Sequence, residues 1–106
     1  MENKVGFSIE KDQIYIQIPD KVHNHFGICI YLKNKSTFKI LKFKSLVKVA
    51  LNNFKLRWFL QGGSNIEQNE WCCFDIWENV KEVDQNLIFQ IAEQIAIMME
   101  MDFEIE

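Results

Sequence analysis

The chain predicts an α+β fold, a four- to five-stranded antiparallel sheet with two helices packed on one face and elements in the order β-β-β-β-α-β-α. Three observations predict it. Apolar residues alternate through the first third of the chain, recur at helical spacing in two later stretches, and crowd into one aromatic run of strand length between those two. The connections are short and no repeat, low-complexity tract or linker divides the sequence, so residues 1–106 are expected to form one domain.

The alternation begins with Val5, Phe7 and Ile9, and continues with Ile14, Ile16 and Ile18 after the polar stretch Glu10 to Gln13. A period of two with a polar interruption predicts an antiparallel hairpin with one buried face. Pro19 has no amide to give a ladder and closes the second strand, and an exposed loop through Lys21, His23, Asn24 and His25 follows. Phe26, Ile28, Ile30 and Leu32 make a third strand, and Asn34, Lys35 and Ser36 turn the chain into a fourth near Thr37 to Leu41. Leu41 breaks the phase there, which leaves a second reading of that stretch as the opening of the next helix.

From about Lys44 the spacing becomes helical, with Phe43, Val47, Ala50, Leu51, Phe54 and Trp58 on one face and Lys44, Lys48, Asn52 and Lys55 opposite. Gly62 and Gly63 follow Leu60 where a left-handed cap is usual, and are expected to stop this helix. Trp71 to Trp77 reads as a strand, apolar on both faces except at Asp75. Asp84 is a good N-cap for the last helix, in which Leu87, Ile88, Ile91, Ala92, Ile95, Met98 and Met99 lie at helical spacing. Phe89, Ala96 and Ile97 widen that stripe beyond what one buried face requires, so residues 86–101 are expected either to occupy the centre of the core or to form a homodimer interface as well.

Composition narrows the function classes. Hydrophobic residues make up 48% of the chain, with nine Phe and three Trp, which argues against disorder except at the two ends. There is no signal-like leader and no run of apolar residues long enough for a membrane span, so a cytoplasmic address without membrane association is expected. The three cysteines, two of them adjacent at Cys72 and Cys73, make a poor disulfide framework and are expected to be reduced. No ligand pairs stand at zinc spacing, His23, His25 and Cys29 being the only loose grouping, so no metal and no cofactor are expected.

Catalysis is disfavoured on the same ground. The chain has four serines and one threonine, with no nucleophile elbow, Walker loop or dinucleotide-binding turn. Cys29, Cys72 and Cys73 all fall in apolar strands, where a thiol is usually inert packing, and the carboxylates Glu67, Glu70 and Asp75 read as a solvated acidic loop rather than an acid and base pair. No catalytic residues are assigned, and the protein is expected not to be an enzyme.

Charge is sorted along the chain. Between Lys33 and Arg57 stand eight basic residues and no acid, whereas Trp58 to Glu106 holds eleven acids against Lys81 alone. In the second half Glu67, Glu70, Trp71, Asp75, Trp77, Glu78, Glu82 and Asp84 set two indoles among six carboxylates, the composition of a surface that anchors and steers a basic protein. In build, being small, acidic and α+β with no catalytic motif, the chain resembles bacterial immunity proteins, a likeness of type carried by no motif. The leading expectation is therefore an inhibitor, an immunity protein or a phage-type blocker, that covers the basic active-site cleft of a toxin or nuclease domain with this acidic, Trp-containing surface. The alternative is a small nucleic-acid-binding or regulatory domain that uses the Lys-rich segment 33–57, with a face built from Lys39, Lys42, Lys44, Lys48 and Lys55 in which lysine supplies phosphate contacts without the bidentate fork that reads bases. A net charge of −3 makes nucleic acid the lesser expectation.

Overall fold

Alternation builds the sheet as the sequence predicts, and its phase decides which side of each strand enters the core. The computed structural model describes residues 11–22, 24–62, 70–78 and 83–105. In chain order they form β1 (Gln13–Gln17), β2 (Phe26–Tyr31), α1 (Thr37–Asn53), β3 (Trp58–Gly62), β4 (Trp71–Ile76), α2 (Gln85–Met99) and β5 (Asp102–Ile105). The five strands make one sheet in the spatial order β3-β4-β2-β1-β5. All neighbours are antiparallel except β1 and β5, which run parallel. The fold is thus α+β with a mostly antiparallel sheet. The segments β2-α1-β3 and β4-α2-β5 each connect strands that share a direction without being neighbours, so the two helices cross the same face as a pair of split β-α-β units.

Both helices lie on that face. Ile14 and Ile16 of β1, Phe26, Ile28 and Ile30 of β2, and Cys72, Phe74 and Ile76 of β4 belong to one buried cluster. The helices close it with Ile40, Phe43, Val47 and Leu51 from α1 and Ile88, Ile91, Ala92 and Ile95 from α2. At its centre the Phe74 ring meets Phe43 at 5.8 Å and Trp58 edge-on at 5.1 Å between centroids. The last helix is therefore a core helix along one stripe, although Ile97 and Met98 remain exposed.

Four sequence expectations are revised. The stretch from Thr37 to Leu41 is helix and not a fourth strand, because Ser36 caps it: the Lys39 amide donates to Ser36 Oγ at 3.2 Å and the Ile40 amide to the Ser36 carbonyl at 3.1 Å. At the other end α1 stops at Asn53, well before the glycine pair. Lys55 adopts a left-handed φ of 58°, and the amides of Lys55 and Leu56 close on the carbonyls of Asn52 (3.0 Å) and Leu51 (2.9 Å). Trp58 to Gly62 then becomes β3, with Trp58 and Leu60 turned to the core as strand alternation requires. The fourth revision is β5, which no sequence feature suggested. Glu100 ends α2 with a left-handed φ of 56°, and the short segment after it pairs with β1. The expected strand at Val5, Phe7 and Ile9, and the expected cap at Gly63, lie outside the described residues.

The cysteines also differ from expectation. Cys29 and Cys73 stand opposite one another across β2 and β4 and are joined by a disulfide, while Cys72 points to the other side of the sheet and is free and buried. Adjacency misled the sequence reading, because neighbouring strand residues face opposite ways and only one of the pair at 72 and 73 could meet Cys29.

Candidate functional site

The sheet face turned away from the helices carries an arrangement of a different kind. Register places its residues in rows that cross the strands. One row runs Phe59, Asp75, Gly27, Gln17; the next runs Gln61, Cys73, Cys29, Tyr15, Glu104; beyond it Trp71, Tyr31 and Gln13 form a third. The rings of the last two rows stack, Tyr15 on Tyr31 at 4.9 Å with Trp71 tilted at 6.3 Å from Tyr31.

The chemically richest corner lies where β2 begins and β4 ends. Asp75 is only 2% exposed, and its carboxylate accepts a hydrogen bond from Gln61 Nε2 and lies 3.3 Å from His25 Nε2. A buried carboxylate needs such partners, since desolvation without them costs several kcal/mol. Gly27, directly opposite Asp75, leaves room for this group: a Cβ there would stand 3.0 Å from Cys73 Sγ and 3.4 Å from Asp75 Oδ1. In the same row the Gln17 side-chain amide nitrogen is buried without a partner among the described residues.

Trp77 sits over this corner and is fixed from three sides. Its amide donates to the Arg57 carbonyl at 2.8 Å, extending the β3-β4 ladder by one step. Its indole stacks on the His25 ring, 6.3 Å away and 9° from parallel, and meets Phe59 edge-on at 6.3 Å. The indole nevertheless stays 60% exposed and Phe59 56%. Beside it Glu78 Oε2 accepts both the Arg57 amide (2.9 Å) and the Arg57 side-chain Nε–H (3.1 Å), and the backbone bond first, then the side-chain bond, hold the Glu78 carboxyl below its ordinary pKa. Asn24, His25, Ile76, Trp77 and Glu78 enclose an open depression of about 450 Å³.

The predicted acidic and aromatic residues are dispersed by this geometry more than the sequence suggested. Asp75 is enclosed, Glu78 is paired with Arg57, and Asp84 caps α2 by accepting the Asn86 amide at 2.9 Å. Trp71 is half-buried and Glu70 exposed; Glu67 and Glu82 lie outside the described residues. Trp77 alone joins exposure to an anchored position.

The lysine set is divided as well. At 100° per residue Lys39 and Lys42 fall on one flank of α1 and Lys44 and Lys48 on the other, while Lys55 lies past the helix end. Lys39 bonds Asp12 at 2.5 Å, and Lys48 lies 5.9 Å from the centre of the Trp58 ring.

Sequence reasoning missed His25 as a partner of Asp75, Gln61 as its donor and Phe59 as a neighbour of Trp77. The last two were hidden by reading residues 58–60 as helix, and the short aromatic and apolar run Trp58, Phe59, Leu60 ahead of the glycine pair was the signal of a strand that could have exposed them. The thiols add no nucleophile to the corner, because Cys73 is in the disulfide and burial raises Cys72 to a pKa of about 12 against the small opposing pull of Lys44. Among the described residues no three His, Cys, Asp or Glu side chains converge as metal ligands would, and no helix is long and apolar enough to cross a membrane. No protein-family model matches this chain, and neither a curated protein nor a solved structure does so.

Proposed function

We propose that the protein is a binding module that engages a macromolecular partner through Trp77 and Phe59 at the corner of the sheet. The observation that carries this reading is that the most exposed tryptophan is also immobilised, by a ladder bond to Arg57 and a stack on His25. An indole held in place in the free protein loses little side-chain entropy on docking, which is the property of an interface anchor. The buried bonds of Asp75 to Gln61 and His25 support the anchor from beneath.

The finer reading is an inhibitor, of the kind an immunity protein represents, that sets this corner against the basic cleft of a toxin or nuclease in the cytoplasm of a bacterium. Its support is the excess of eleven acids over one base after Arg57. The Cys29–Cys73 disulfide removes the argument for a cytoplasmic address that rested on reduced thiols.

Affinity capture from the native host with the wild-type chain and with Trp77→Ala/Phe59→Ala tests the reading. Both side chains are exposed, so the variant is expected to fold with a stability loss of about 1 kcal/mol or less while losing the captured partner. Undiminished capture by the folded variant would sink the binding module as placed here. A partner that is neutral or acidic would leave the module standing and remove the inhibitor.

A further inference from the structure

The helix layer carries a second surface that the corner at Trp77 does not explain. Ten large apolar side chains are exposed among the described residues, and six of them lie on or beside the helices: Phe38, Leu41, Val49, Phe54, Ile97 and Met98. A helix lying on a sheet needs one apolar stripe, and α1 already has it in Ile40, Phe43, Val47 and Leu51. At 100° per residue Phe38, Leu41 and Val49 fall on the opposite side, roughly 120° to 200° round from Val47, and Phe38 is 73% exposed. An apolar groove of about 230 Å³ runs between α1 and α2, floored by Ala50, Ile91 and Ile95 and rimmed by Phe54 and Met98, beside this outer stripe. Exposed apolar side chains gathered on one layer beside an apolar groove are the composition of an interface.

Charge identifies the occupant. Thr37–Asn53 contains four lysines and no acid, whereas Asp84 to Glu100 contains three acids and no base. Lys39 is taken up by Asp12 and Asp84 by its capping bond, which leaves Lys42 and Lys48 exposed on the outer side of α1 and Glu93 on that of α2. A two-fold axis through the groove lays α1 of each copy against α2 of the other, so that apolar stripes meet at the centre and unlike charges meet on both sides. An anionic lipid surface fits less well, because the acids of α2 would face it alongside the lysines of α1.

We infer that the protein forms a two-fold dimer through the outer faces of α1 and α2, independently of the corner at Trp77. Sedimentation equilibrium of the full chain from micromolar to several hundred micromolar is expected to give twice the chain mass. Val49→Glu with Ile97→Glu changes exposed positions only, and should leave the thermal melt cooperative while halving the mass. Lys42→Glu/Lys48→Glu in one chain and Glu93→Lys/Gln94→Lys in another should each weaken self-association at least tenfold, whereas mixing them should restore dimers, since each basic helix then meets an acidic one again. A wild-type monomer at the highest concentration, a mixture that fails to pair, or wild-type pelleting with anionic vesicles that Val49→Glu abolishes would each overturn the dimer.

Discussion

The two faces of the sheet use the same strands for opposite purposes. Toward the helices the inward residues of β1, β2 and β4 are Ile, Phe and Cys72, all buried in one cluster with α1 and α2. On the reverse side the alternate residues of the same strands are Gln17, Tyr15, Gly27, Tyr31, Asp75 and the cross-linked pair Cys29 and Cys73. Non-directional burial governs the first face, where apolar side chains of about the right size can replace one another. Directional bonds govern the second, where Asp75 needs Gln61 and His25, Gly27 needs its missing Cβ, and two sulfurs must meet in register. Specific recognition is easier to build on the second, because Asp75, Gln61 and the cysteines are held at fixed positions by strands, and His25 and Trp77 directly adjoin strand ends.

The largest way to break this contrast is Phe74→Ala on the covered face. Phe74 is fully buried between Phe43 and Trp58, and its loss should lower unfolding free energy by about 3–5 kcal/mol in a urea titration. A cost below about 1 kcal/mol would show that the covered face is not the principal core.

The open face should respond most to loss of its cross-link. The disulfide spans 44 residues of sequence, and in the chain-entropy account closing a loop of that length contributes up to about 4 kcal/mol. Unfolded but unreduced protein is expected to titrate one thiol per chain, that of Cys72, and reduced protein three. Cys29→Ala/Cys73→Ala should lower the urea midpoint, and reductant should lower that of the wild type but not of the double variant. Three thiols without reductant would remove the cross-link from this account.

What the sequence revealed of each face follows from the kind of force involved. The covered face was legible because burial leaves a period: Ile14 with Ile16, Phe26 with Ile28 and Ile30, and the stripe from Ile88 to Ile95 all read correctly. The ends of elements were not, because they turn on single backbone angles. Lys55 and Glu100 take left-handed conformations with no glycine to announce them, so helical spacing overshoots the end of α1 and nothing in the sequence marks β5. The open face was legible only in part. Trp77 stood out by residue type, yet the pairing of Asp75 with His25, 50 positions earlier, is a fact of register between β2 and β4 that one strand cannot display.

The smallest test concerns the seams that join elements at the sheet's ends. Burial alone would raise the Asp12 carboxyl, but the side-chain bond from Lys39 of α1, the Lys33 amide at 2.9 Å and the Lys39 charge outweigh it and hold Asp12 below its ordinary 3.8. Glu78 is likewise held below 4.5 by Arg57. A carboxyl that releases its proton more readily in the folded chain than in the unfolded one stabilises the fold above its unfolded pKa and loses that contribution as pH falls through its folded one. Melting temperature should therefore decline as pH drops below about 4.5, and part of the decline should vanish in Asp12→Asn and in Glu78→Gln. The Asp12 contribution should not exceed about 1 kcal/mol at neutral pH, because Lys39 remains about half exposed and solvent screens the pair. Both variants should converge with the wild type at the acid end, where each carboxyl is protonated in every state; a constant offset at all pH values would mean that these side chains stabilise by packing and not by charge.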